Sequence, residues 1–343
     1  MKKIPFFFLF ILAFSACNNK KEGPDISGIK VDLQVERFDQ DLFAIDSNNV
    51  LPGLNAISHK YPALTSIFLQ GILGLDSTIV LPGLKRFLHQ NTSIYDSVKK
   101  MIPSESPFMS DLNKAFRYVR YYFPEYPIPK IVTVVGPIDA LAENGNNRTP
   151  DFIGPDFIGI SLQFYLGRDF SIYKDPFFIE KIVPEYRSRR FSPEYIQADV
   201  IQLVVDDLFP DNSAGHPLID QMIIKGKQWW LQDQFLPAVA DSIKTGFTND
   251  QLTWCKENEG LIWSYIIKNE DINSINPSTI QTYIGDGPFT QGFSQDLSPG
   301  NLGQWIGWQI VKKYVMKHSG INPEELMRKE PKEILDEAKY KPK

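Results

Sequence analysis

Cys17 has the most telling neighbours of any reactive side chain. It follows Phe14-Ser15-Ala16, and small residues just before a cysteine form the site where bacterial leader peptides are cut and the thiol is diacylated. Phe stands where that box more often has Leu. Upstream, Met1-Lys2-Lys3 is a short basic segment and Ile4 to Phe14 is apolar throughout. This core is shorter than the roughly 20 apolar residues a membrane-spanning helix needs, and it matches a signal-peptide core. The alternative is an ordinary signal peptide cut near Ala16, with Cys17 incidental. The expected organisation is a lipoprotein signal peptide at 1–16, a lipid-anchored tether at 17–27 with the acyl group (palmitate class) on Cys17, and one domain at 28–343.

Other chemistry is hard to place. The four histidines, His59, His89, His216 and His318, are never paired at i, i+3 or i+4, the spacing that puts two imidazoles on one helix face for zinc. There is no Gly-x-Ser-x-Gly elbow and no phosphate loop ending in Lys-Ser or Lys-Thr. Gly285-Asp286-Gly287-Pro288 ends in an imino acid that lacks an amide donor, and it reads as a turn. Asp206-Asp207 is an acidic pair, but adjacent helical residues point about 100° apart. A solvated helix end, or an ion pair to Arg187, Arg189 or Arg190, is the expectation there. If Cys17 is lipidated, only Cys255 remains, so no intramolecular disulfide forms; Cys255 follows Trp254 in a helical pattern and reads as a buried, inert thiol. Four of the six tryptophans, at 254, 263, 305 and 308, sit on helical apolar faces. Trp229-Trp230 points two ways, which leaves one of them available as a contact surface.

The elements that would position these residues are mostly helices around a small central sheet, an α+β class. Alternation at Val31, Leu33 and Val35 predicts a strand from Val31 to Phe38; Ile131 to Val135 is β-branched at every position and predicts the strongest strand, and 157–162 a second. Each Leu-Pro-Gly-Leu, at 51–54 and 81–84, predicts a turn leading into a helix. Helices are expected over 110–122, from Ser192-Pro193-Glu194 to before Pro210, from about Pro217 to Pro237, over 249–268, from Ser298-Pro299-Gly300 to Gly320, and after Pro323 and Pro331. Ile196, Val200, Val204 and Leu208 make the apolar stripe of the second of these, widened by Ile201 and Val205.

Composition narrows the functions. The chain is 43% hydrophobic and 13% aromatic, enough for a large core. Its formal charge is −5, and loss of Lys2 and Lys3 takes it two units lower. An acidic surface argues against nucleic acid as a partner, and it leaves attachment to the membrane to the acyl chains.

The leader, the 131–135 strand with its Gly136-Pro137 exit, Asp199-Val200-Ile201-Gln202, Leu218 to Lys227, Ser298 to Val311 and the Tyr340-Lys341-Pro342 end resemble the gliding-motility lipoprotein family of Bacteroidetes, the GldB type. The resemblance implies a role in surface gliding or the secretion coupled to it, with other envelope proteins of that machinery as partners. It also implies a distant similarity to zinc peptidases with a His-Glu-x-x-His helix, hence a degenerate zincin-like core embedded in helices. Laid on that helix, Ala198 and Gln202 stand at the two histidines and Asp199 at the general base; Lys225 stands at the later acidic ligand. Without imidazoles no metal and no cofactor is expected. The resulting expectation is a non-catalytic, protein-binding lipoprotein facing the periplasm, with the outer membrane favoured, and with a cleft between the Pro193 helix and a free strand edge at 131–135. An active hydrolase or an envelope glycan binder are the alternatives.

Overall fold

The computed structural model describes residues 23–103, 106–141, 150–269 and 272–343. The leader, Cys17, the start of the tether and the stretch 143–148 lie outside the described residues. No described helix is long and apolar enough to cross a membrane.

The described chain is mostly helical around a small mixed sheet. Its strands are β1 (Val35–Glu36), β2 (Lys130–Val134), β3 (Phe152–Ile153) and β4 (Phe157–Ser161), in the order β1-β2-β4-β3. β1, β2 and β4 run parallel, and β3 returns antiparallel to β4. The pairing expected between the two central strands is present, with Ile131 beside Ile158 and Thr133 beside Ile160. The expected free edge at 131–135 is not. β2 is hydrogen-bonded on both sides, so it offers no backbone to an added strand, and the edges are two-residue strands. The sheet separates two cores. Ile131, Val135, Ile158 and Ile160 face a large cluster with the C-terminal helices, while Val132, Val134 and Phe157 face a smaller one with Phe38, Leu42, Phe68 and Leu84.

The N-terminal strand is shorter than alternation predicts, because side chains of the Phe108–Tyr122 helix capture the backbone before it. Arg117 donates to the carbonyls of Ile26 and Ile29, and Asn113 to that of Val31 (3.0 Å). Ile26 is buried. The chain is therefore held on this helix from about Gly23, and a free tether reaching residue 27 is corrected to one ending earlier.

The two Leu-Pro-Gly-Leu segments lie inside helices, not before them, in the first turns of Val50–Lys60 and Val80–Met101. Proline is tolerated there because first-turn amides have no intrahelical acceptor. Their glycines serve one purpose: a Cβ on Gly53 would meet Ile45 at 2.7 Å, and one on Gly83 would meet Leu75 at 2.4 Å. The 249–268 helix is two, Asn249–Glu257 and Glu259–Asn269, and Thr248 with Gln251 forms a capping box at the first.

Three helices build the site. The site helix, Ile196–Leu208, follows a 3-10 turn at Pro193–Tyr195, and its stripe at Ile196, Val200, Ile201, Val204 and Val205 is buried. Ser192 precedes the turn but makes no side-chain cap; its hydroxyl accepts from the Arg168 amide (3.0 Å). The tryptophan helix is Leu218–Phe235 and the glycine helix is Leu302–Lys317.

Candidate functional site

Asp199 sits in the first turn of the site helix, on the side facing the end of β4. Beyond β4 the chain makes a 3-10 turn, Leu162–Phe164, and then presents Tyr165. β3 turns back along β4, so Asp151, just before it, accepts a hydrogen bond from the Ser161 amide (2.9 Å). The Tyr165 hydroxyl lies 2.7 Å from Asp151 Oδ2 and 2.9 Å from Asp199 Oδ2. A phenol has one hydrogen to donate. While both contacts hold, at least one of the carboxyls must supply the other. Burial pushes Asp151 up to about 8, with the charge of Asp199 adding to it. Loss of water also raises Asp199, to about 6, against the opposing pull of Arg190 and the Tyr165 hydrogen bond. The three groups titrate as a unit.

Asp199 also lines a small polar pocket, about 60 Å³, between the three helices. Ala198 and Gln202 line it from the same helix, Trp229 and Gln232 from the tryptophan helix, and Asn301 and Gln304 from the start of the glycine helix; Arg190, Lys244, Thr245 and Asp286 complete it. Two of its charges are committed elsewhere. Lys244 pairs with Asp233 and Asp241, and Arg187 holds Asp286 at 2.5 Å. The two glutamines are buried. Each amide nitrogen donates to a backbone carbonyl, Gln232 to Ala198 (2.9 Å) and Gln304 to Ile284 (2.5 Å). Their oxygens have no partner among the described residues. A buried acceptor left without a donor costs about 1–3 kcal/mol; both oxygens are closed off from solvent, beside the pocket that their residues line.

Three of the four residues singled out in the sequence, Ala198, Asp199 and Gln202, thus share a pocket. Lys225 does not line it. It is buried and forms an ion pair with Asp211, with Gln228 Oε1 at 3.4 Å. A chain of polar contacts connects it to the site, since Gln228 and Gln202 both donate to Asp206, at 3.2 and 3.0 Å. Asp206 is therefore not simply solvated, and Asp207 accepts from the Tyr126 hydroxyl at 2.9 Å.

These residues do not fit a zinc ion. Ala198 has no donor atom, Gln202 turns its amide toward Asp206, and Asp199 is held by Tyr165. Among the described residues no three His, Cys, Asp or Glu side chains come together in a group that could hold a metal. His59, His89 and His216 are exposed, and His318 stacks on Tyr314 beside Glu337. Cys255 is buried, and burial pushes its thiol up, away from the reactive thiolate. Trp229 and Trp230 are each 6% exposed, so neither offers the contact surface that their adjacency suggested.

The polar contribution of Gln232, Gln304, Arg190 and Asp151 was not singled out from sequence. The signal available was the spacing of Gly300, Gly303 and Gly307 around Gln304. A Cβ on Gly300 would meet the Gly287 carbonyl oxygen at 2.2 Å, and one on Gly303 the Tyr283 carbonyl at 2.8 Å. Asn301 between them takes a left-handed conformation (φ 48°), which asparagine tolerates better than most residues. This junction sets Gln304 over the pocket. A larger groove of about 850 Å³ lies away from the site, lined among others by Ile72, Phe87, Ile138 and the exposed Phe177.

Three of the segments that carried the resemblance thus contribute to one site: Asp199 to Gln202, the helix that starts at Leu218, and Ser298 to Val311. Searches of curated proteins and of solved structures find no match, and the zinc-peptidase similarity has no support from either. A family model described as gliding motility protein GldB matches residues 19–342, nearly the whole chain, and the chain belongs to that family of gliding-motility lipoproteins.

Proposed function

We propose that this lipoprotein works at the cell envelope as a non-catalytic, protein-binding component of the gliding-motility machinery or its associated secretion, anchored through Cys17 with its domain in the periplasm. The observation that carries the binding reading is the chemistry of the pocket. Its acid is already hydrogen-bonded to Tyr165, its lining holds no histidine and no cysteine among the described residues, and its other polar side chains are Gln202, Gln232, Asn301, Gln304, Thr245 and charged groups such as Arg190. Those groups suit recognition; an acyl-transfer or hydrolytic site needs a nucleophile beside a base.

The test is affinity purification of the lipidated full chain from its native membranes after brief crosslinking. A reproducible envelope protein in near-stoichiometric amount is the expected result. Recovery of the chain alone, together with peptide turnover that Asp199→Asn abolishes, would replace the reading with a hydrolase.

A further inference from the structure

We propose that the face carrying Tyr118, Tyr121 and Pro237 rests on the headgroup region of the bilayer, so that the domain sits on the membrane in one orientation. This rests on the anchoring at Cys17 proposed above and goes beyond it, because a lipid anchor by itself does not determine which face meets the lipid.

The direction in which the chain leaves the domain is set by the Phe108–Tyr122 helix. Asn113 holds the carbonyl of Val31, and Arg117, one turn further along, holds those of Ile29 and Ile26. Gly23 then packs between Tyr118 and Pro237, and a Cβ there would meet each of them at 2.8 Å. Traced back from Val31 to Gly23, the segment runs toward the C-terminal end of the helix, where Tyr121 is exposed.

Length limits which side can face the bilayer. Cys17 lies six residues before Gly23, and six extended residues span about 20 Å. A compact chain of this size has a radius of gyration of about 20 Å and a diameter of roughly 50 Å. The leash is shorter than the path around the domain, so the side opposite Gly23 cannot be turned to the membrane.

The surface beside Gly23 suits the contact. Tyr121 is 44% exposed and stands edge-on to Tyr122, with ring centres 4.9 Å apart, and Tyr122 packs in turn beside Phe235. Tyrosine joins an apolar ring to a polar hydroxyl and concentrates at membrane–water interfaces for that reason. Tyr118 and Pro237, which hold Gly23, also line a pocket of about 300 Å³ with apolar side chains such as Phe235, Val239 and Ile243; Asp111, Lys114 and Glu194 are among its polar ones. Both signs of charge are present, so this face is not drawn to anionic lipid by charge. The anchor brings it to the bilayer, and the tyrosine and apolar groups hold it there.

The test uses the acylated full chain, purified from its native membranes and reconstituted into vesicles of phosphatidylethanolamine and phosphatidylglycerol with no other protein. With Cys17 acylated, the remaining thiol is the buried Cys255, so a cysteine introduced at the surface takes a fluorophore selectively. Tyr121→Cys and Lys114→Cys report on the proposed face, two positions so that one poorly folded variant does not decide the outcome. Leu51→Cys is the comparison, exposed on the Val50–Lys60 helix that packs in the smaller core across the sheet. Lipids carrying a nitroxide at the headgroup should remove most of the fluorescence from labels at Tyr121 and Lys114 and little from one at Leu51. Equal quenching at all three positions, or quenching at Leu51 alone, overturns the proposal. So does an absence of quenching at Tyr121 and Lys114 in a folded chain that floats with the vesicles; shielding of those labels from soluble iodide in native membranes would then assign the face to a protein partner. A chain that does not float defeats the anchoring and this inference together, whereas one that floats without quenching defeats this inference alone.

Discussion

Gly226 and Gly307 bring two helices into backbone contact. A Cβ built on Gly226 would lie 2.2 Å from the Gly307 carbonyl carbon, and one on Gly307 would lie 1.7 Å from the Met222 carbonyl oxygen. The contact between the tryptophan and glycine helices is the most extensive between any two elements of the described residues. The neighbour in each case is backbone, which cannot swing aside as a side chain would. Gly307→Ala should therefore force the helices apart and cost about 1–3 kcal/mol or more, read as a lower urea midpoint. Gln304, one turn earlier, should shift with its helix, so the pocket is lost along with the stability. A variant as stable as wild type would mean that the close crossing is not needed.

The buried stripe of the site helix makes a second, sharper claim. Val204 is fully buried in the core beside the sheet. Val204→Asp would put a charge there with no cation placed to pair with it, at a cost of several kcal/mol. Loss of cooperative thermal unfolding is expected, whereas Val204→Ile should fold.

Those two elements show how much of the fold could be read from the sequence. Period-four apolar spacing marks the site helix, a β-branched run marks β2, and a short apolar run with Ile158 and Ile160 marks β4, because burial on one face or both faces leaves a direct compositional trace. The N-terminal strand misled, because a long-range hydrogen bond from Arg117 to a backbone carbonyl has no local signature. The site was legible only in part for the same reason. Asp199 and Gln202 share one helix, but Asp151 and Tyr165 reach Asp199 through strand pairing, and Gln232 and Gln304 through a helix crossing. Lys225 is the clearest case. Its side chain turns to Asp211, a loop residue whose position no periodicity reveals.

That pairing changes what Lys225→Glu should do. Were the lysine solvated, the substitution would be silent for stability. With Lys225 only 7% exposed and held by Asp211, reversal sets two carboxylates together and removes a contact to Gln228. A loss above about 1 kcal/mol is expected, discounted because Asp211 is partly open to solvent. Lys225→Glu with Asp211→Lys should recover part of it. No change in melting temperature for the single variant would count against the ion pair.

Anchoring is tested separately from the fold, since Cys17 lies outside the described residues. Cys17→Ser should leave the precursor uncleaved or release the domain from membranes, because the thiol is the site of acylation. Labelled palmitate entering the Cys17→Ser protein would refute the assignment.

The last prediction concerns pH. Asp151 and Asp199 have folded-state values raised to about 8 and about 6 from an ordinary 3.8, chiefly by burial. Between about pH 4 and pH 8 the folded chain then holds more protons on these groups than the unfolded chain does. Stability from this source is fully present below the unfolded value and falls as pH rises through the folded ones. Other groups titrate over the same range, so the informative quantity is a difference. Asp199→Asn keeps the shape and an acceptor for Tyr165 but removes one of the ionisations. It also relieves the like charge on Asp151. The melting temperature of Asp199→Asn minus that of wild type should therefore become more positive from pH 5 to pH 8. A difference independent of pH would show that the Tyr165 hydrogen bonds do not hold a shared proton. A difference moving the opposite way would mean that Asp199 is stabilised as a carboxylate, as an Arg190 ion pair would make it.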